Sequence, residues 1–271
     1  MQSKLLLPTV LMGLVLTASG LPAAAGELDV CGAPNSLPAA RAKARRLVAQ
    51  IRVDLAGVEN QIRNVPFVAQ VEAGTASLDK IAAVAAEEYS IIHSDLNSFT
   101  QMAARWDTPQ GSHFFGDLAF GETLALPLLL DFAGNVGLTE ADLAAYEPRP
   151  AAQTYPSRVA WIASNADRAS AAASFLVNFG VFGENMARVR DALVEVYGFR
   201  LDEIEFFSFF AEPIPGFEED AIEVIAAGLQ EGACPRDVRR SARLLQAYEL
   251  DFWQVASAPP GSPLPVRRPA G

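Results

Sequence analysis

The sequence predicts an all-α chain, and three observations carry that reading. Apolar residues recur at spacings of three and four, as in Val48, Ile51, Leu55, Val58 and Ile62. No stretch of useful length alternates apolar with polar residues, as a half-buried strand would. The breaks between periodic segments are short and carry Pro or Gly, as helix connections do.

The elements follow in order. Lys4, the apolar Leu5 to Leu16 and the small residues Ala23-Ala24-Ala25 have the three-part layout of a secretory signal peptide, residues 1–25. That apolar run is too short for a membrane span, which needs ~20 residues. Residues 26–38 read as an arm, 39–256 as one helical domain and 257–271 as a disordered Pro/Gly-rich tail. Within the domain the pattern predicts helices over Ala39 to Ile62, from the Ser77 cap to about Arg105, and over Leu118 to Phe132. Pro66 opens a short segment that Gly74 ends. Thr139 to Asp142 has the form of a capping box. Further helices are expected at Ser157 to Asn178, Gly183 to Tyr197, Asp202 to Ala211, Phe217 to Leu229 and Pro235 to Ala256.

Composition limits the function classes. A net charge of −11 argues against nucleic acid or anionic membranes as partners. Arg236, Arg239, Arg240 and Arg243 read as a solvated helix face. The only two cysteines, Cys31 and Cys234, read as a disulfide in an exported chain, hence a periplasmic or secreted protein. They lie too far apart in sequence for a local metal knuckle.

The chain is organised around Ala171 to Arg190. Phe175, Asn178, Phe182 and Met186 share one helical face, with an amide in the middle of it. A buried amide needs hydrogen bonds or a cavity beside it, so this face is expected to line a pocket. Two acids interrupt other apolar stripes. Glu88 lies among Ile81, Ala85, Ile92 and Phe99, and Glu249 among Leu245, Phe252 and Ala256. A carboxylate so placed has a perturbed proton affinity and is a candidate functional group. Pairing with a buried arginine is the structural alternative for Glu249.

Pro66 to Tyr89 (PFVAQVEAGTASLDKIAAVAAEEY), the Tyr155 region, the stretch around Asn178 and Leu244 to Val255 (LLQAYELDFWQV) together resemble the TENA/THI-4/thiaminase II family, which includes the PQQC-like proteins. The resemblance implies a haem-oxygenase-like multi-helical fold. It places Glu88 where the family grips an aminopyrimidine, and Glu249 where the family has a proton donor or acceptor. Ligand contacts are implied at Glu88, Tyr155, Asn178, Phe182, Phe210 and Glu249, together with a homo-oligomer.

The departures from the family matter. Asn178 stands where thiaminase II-type enzymes carry a nucleophilic cysteine, and Phe182 and Phe210 stand where they carry tyrosines. A carboxamide cannot replace a thiolate in covalent catalysis. The metal-dependent oxidases of the same fold carry a His-x3-Asp-x2-His set where this chain has Phe210, Ile214 and Phe217, which excludes a di-iron site of that type. A haem would need His93 or His113, which read as surface or loop residues. Glu184 and Asn185 read as solvated, and the Phe206–Phe210 cluster as core first and pocket wall second.

The expectation is an exported helical protein that binds a small aromatic or apolar ligand, with no cofactor and no covalent thiaminase activity. The alternative is a non-covalent hydrolase or lyase acting on a pyrimidine-like or other nitrogenous substrate, with Glu249 as general acid/base. A helical interaction protein with a vestigial pocket is the third reading.

Overall fold

The computed structural model describes residues 30–258, 264 and 266. The signal segment and nearly all of the C-terminal tail lie outside the described residues. Ten α-helices and one 3-10 turn, with no strand, make up the described residues. They are α1 (Leu37–Arg63), α2 (Pro66–Glu72), α3 (Leu78–Arg105), α4 (Pro109–Asn135), α5 (Glu140–Ala145), α6 (Thr154–Asn165), α7 (Arg168–Glu195), α8 (Glu205–Ala211), α9 (Phe217–Gln230) and α10 (Pro235–Ala256). None is long and apolar enough to cross a membrane.

Local chemistry sets the helix starts. Ser36, Ser77, Thr108 and Asp167 each accept a hydrogen bond from a backbone N–H in the first turn of the helix they precede. Thr139 and Asp142 form the reciprocal box: Thr139 N–H donates to Asp142 at 2.8 Å and Asp142 N–H donates to Thr139 at 3.2 Å.

Helix α7 is the centre of the molecule. It packs against α10, α9, α8, α1, α2 and α6. Every residue from Arg168 to Asn178 is buried, and Ala169, Ala171, Ala172 and Ala173 let neighbouring helices approach closely. The pair α3 and α4, joined by a short turn, packs along its length and forms the opposite wall. Helix α10 lays its buried stripe of Val238, Ala242, Leu245, Glu249, Phe252 and Ala256 against α7 and α1. A disulfide between Cys31 and Cys234, with Cα atoms 4.6 Å apart, ties the N-terminal arm to the start of α10. Ser257 is held too: it accepts from Phe67 N–H at 3.0 Å, and its carbonyl accepts from Lys80 at 2.7 Å.

Several boundaries differ from the sequence reading. The expected Ser157 to Asn178 helix is two helices, because Asp167 caps a new start by accepting from Ser170 N–H at 2.9 Å. The expected break before Gly183 does not occur, and α7 runs through Gly180 and Gly183. A mid-helix glycine costs only about 1 kcal/mol, which packing on several sides outweighs. At Gly183 the missing side chain is required, since a Cβ there would lie 2.8 Å from the Phe210 carbonyl oxygen. Helix α4 starts at Pro109, nine residues before the expected start, and runs through Pro127. Asn185 is not solvated: it is fully buried and donates to the Ile62 carbonyl at 2.9 Å. Glu184 is exposed and pairs with Arg63.

Candidate functional site

A cavity of about 910 Å³ opens between the α3–α4 pair and helices α7, α8 and α10. That volume suits a small-molecule site. Its walls are largely aromatic, with Phe179, Phe182, Phe209, Phe210, Phe217 and Phe252 contributing. Phe182 and Phe210 meet edge-on with centroids 5.3 Å apart, and Phe179 stacks on Phe217 at 5.5 Å. Phe206 and Phe207, on the other face of α8, are fully buried.

One polar network crosses from α6 through α7 to α10. The Tyr155 hydroxyl donates to Asn178 Oδ1 at 3.2 Å. Asn178 Nδ2 donates to Glu249 Oε2 at 3.0 Å and to Gln246 Oε1 at 3.1 Å. Trp253 Nε1 donates to Glu249 Oε1 at 2.6 Å. Both carboxylate oxygens of Glu249 therefore hold a donor. Burial pushes the Glu249 carboxyl up to about 7, against the opposing pull of the Asn178 and Trp253 hydrogen bonds. A buried group poised there can exchange a proton near neutral pH.

Neighbours in sequence part company at Glu87 and Glu88. Glu87 faces away from the cavity and is fully used. It pairs with Arg149 at 2.8 Å and accepts from the Tyr146 hydroxyl at 2.9 Å and the Arg149 backbone N–H at 3.1 Å. Glu88 lines the cavity and accepts no hydrogen bond among the described residues. Burial, and then the charges of Glu249, Asp95 and Glu87, hold its carboxyl well above the ordinary range.

The six residues singled out from sequence, Glu88, Tyr155, Asn178, Phe182, Phe210 and Glu249, all line this one cavity. Two further acids were missed, Asp95 on α3 and Glu122 on α4. Burial is the main cause that raises both carboxyls. The charge of Glu249 adds to it for Asp95, and those of Asp95 and Glu88 for Glu122. The spacing held one signal: Asp95 lies seven residues after Glu88, two helical turns along the same face. His93 and His113 are exposed and away from the cavity. Among the described residues, no three His, Cys, Asp or Glu side chains converge as metal ligands would.

Comparison with known proteins agrees with the architecture. The sequence profile of the TENA/THI-4/PQQC family matches residues 53–212. A TenA homologue from P. horikoshii OT3 superposes with a TM-score of 0.64 at 18% identity, covering 78% of this chain and 97% of that one. A TenA homologue from Pseudomonas syringae pv. tomato gives 0.66 at 13% identity, covering 84% and 98%. A domain with a heme oxygenase-like fold from Shewanella denitrificans gives 0.61 at 18% identity, covering 77% and 89%. At these identities the likeness concerns the fold. No curated protein sequence matches this chain.

Proposed function

Because the chain belongs to the TENA/THI-4/PQQC family, we propose that it is an exported, thiaminase-II-like protein whose central cavity binds a small aromatic ligand without covalent catalysis. The observation that carries the reading is the Tyr155–Asn178–Glu249–Trp253 network at the wall of a phenylalanine-lined cavity. Ligand sites are commonly apolar surfaces with a few fixed polar groups. The position that would bear a thiol carries an amide, and that amide is bonded at both its oxygen and its nitrogen. An amide supplies no thiolate, so a covalent intermediate at residue 178 has no nucleophile. Export is supported by the signal-like N-terminal pattern and by the Cys31–Cys234 disulfide, which suits an oxidising compartment.

Native mass spectrometry on protein purified from its own envelope fraction tests the reading. It should show a retained small molecule of defined mass, the loss of 25 N-terminal residues and the subunit number. Glu88→Ala and Glu249→Ala should lose the retained mass. Unchanged ligand retention in both variants would sink the proposal.

One observation favours a second reading, a hydrolase or lyase that works without a covalent intermediate. Glu249 is held at about 7, where a general acid/base works best at neutral pH. General acid–base groups typically contribute 10²–10⁴-fold to rate, enough for an easy reaction. In that case Glu249→Gln abolishes turnover of nitrogenous substrates while binding is largely kept.

A further inference from the structure

The lining of the central cavity is acidic, and a concentration of the opposite charge lies outside it, in a smaller cleft between α1 and the first half of α10. The cleft has a volume of about 290 Å³ and shares no lining residue with the central cavity. Ile51 and Leu55 of α1, both buried, give it an apolar floor. Arg236, Arg239, Arg240 and Arg243 of α10 stand around that floor, and Asp54 of α1 is the one acid of the lining. The sequence reading of these arginines as a solvated face describes their outer side. It misses the hollow that they border.

As it stands the arrangement is costly. The arginines pair up at spacings of three and four along one helix face, where like charges repel. Arg236 also lies in the first turn of α10, at the positive end of the helix dipole. Acids of the chain answer only part of this charge. Asp54 engages one arginine, accepting from Arg239 Nη2 at 2.7 Å and Nε at 2.9 Å, and it accepts from Gln50 at 2.8 Å as well. Asp237 Oδ1 lies 3.0 Å from Arg240 and 3.6 Å from Arg236, yet it forms no hydrogen bond with either. Among the described residues Arg236, Arg240 and Arg243 donate no hydrogen bond, and Arg243 has no ion pair. The arginines on the other side of α1 are treated differently: Arg41 meets Glu223 at 2.6 Å and Arg52 meets Glu218 at 2.9 Å, both on α9.

We propose that this cleft is a binding site of its own for a small organic phosphomonoester, with the phosphate between Arg236, Arg240 and Arg243 and the organic group on Ile51 and Leu55. The inference is independent of the reading given for the central cavity. Four guanidiniums face two carboxylates, Asp54 in the lining and Asp237 beside it, so two positive charges stand unbalanced. A phosphomonoester above its second ionisation, at about pH 6, is a dianion and matches that excess. Guanidinium forks offer paired, charge-assisted hydrogen bonds to phosphate oxygens, and they are more weakly hydrated than an ammonium. The volume lies at the lower end of small-molecule sites, which suits a compact ligand. Part of the site is fixed in advance. Asp54 holds Arg239 against α1, and the Cys31–Cys234 bond ties down the residue that precedes α10.

Phenyl phosphate and phenyl sulfate make the test, being alike in shape while carrying two charges and one at pH 7.5. Isothermal titration of the full disulfide-bonded chain should show saturable binding of phenyl phosphate, at least about fivefold tighter than that of phenyl sulfate. The double variant Arg240→Gln/Arg243→Gln should bind phenyl phosphate about tenfold more weakly or worse. Arg243 has no partner to lose, so Arg243→Gln alone keeps the fold and should weaken binding at least about threefold. Arg200→Gln, which removes an exposed charge outside the cleft, should leave the affinity unchanged. Phenyl phosphate should also raise the melting temperature of the parent and not that of the double variant. No saturable binding of phenyl phosphate up to about 10 mM, equal affinity for the two probes, or binding that survives in both cleft variants overturns the site. An equal loss in Arg200→Gln overturns it too, because the effect would then be one of overall charge.

Discussion

Glu249→Gln should change the sign of its effect on stability as pH rises. The ordinary glutamate value is 4.5, and in the fold this carboxyl is pushed up to about 7. Between those values the folded state holds a proton that the unfolded state has given up. Stability therefore falls as pH rises through the window and levels off above it. At about 1.4 kcal/mol per pH unit, the penalty at pH 8.5 is about 3 kcal/mol. Glutamine carries no such penalty at any pH. Its cost is a hydrogen bond: Asn178 and Trp253 both donate to residue 249, and an amide offers only one oxygen. That cost is roughly 1–2 kcal/mol. The ligand-free variant should thus be less stable than the parent by about 1–2 kcal/mol at pH 4.5 and more stable by a similar amount at pH 8.5. Relief of Glu88 and Asp95, both raised in part by the charge of Glu249, adds to the gain at high pH. Urea denaturation followed by tryptophan fluorescence at four pH values, with the disulfide intact, reads the difference directly. A difference that stays constant across pH would refute the reasoning, because it would mean that Glu249 titrates alike in both states.

Four further outcomes follow from the same geometry. Glu87→Ala should destabilise the protein by roughly 3–5 kcal/mol, because it breaks the ion pair of a buried carboxylate with the half-buried Arg149; Glu88→Gln should raise the melting temperature at pH 7.5, and melts of the same sign would refute the division of roles. Gly183→Ala should cost roughly 1–3 kcal/mol as its Cβ drives into the Phe210 carbonyl, read as a lowered urea midpoint. Replacing Cys31 and Cys234 with serine opens a link across 203 residues and should cost up to about 5 kcal/mol in the chain-entropy account; an unchanged midpoint would mean that the bridge contributes nothing.

Most of the architecture was legible because helical periodicity depends on burial, and burial is written in residue type. The capping box at Thr139 and the cap at Ser77 were readable for a second reason: a side-chain oxygen at the first turn has one good use there. The errors lie where tertiary packing decides. Gly180 and Gly183 look like breaks, yet α7 continues because α8 and α10 cover it and Gly183 must admit the Phe210 backbone. Asp167 looks like a mid-helix acid, yet it caps a new helix. Asn185 looks polar and exposed, but the Ile62 carbonyl at the end of α1 gives it a buried partner more than a hundred residues away in the chain.

The candidate site was half legible, and the boundary follows from the physics of buried charge. An acid on an apolar stripe announces burial, which is how Glu88 and Glu249 stand out. Burial does not say what satisfies the acid. Glu87 and Glu88 are adjacent and equally hidden, yet Arg149 and Tyr146 neutralise one while the other faces empty space. The partners of Glu87 come from a segment some sixty residues on, so no local pattern separates the two acids. Asp95 and Glu122 were overlooked because both lie outside the stretches that carry the family resemblance, and only the packing of α3 on α4 brings the pair to one cavity. A fold that needed only stability would have lost such a pair, since apolar residues of similar volume pack as well without the desolvation cost.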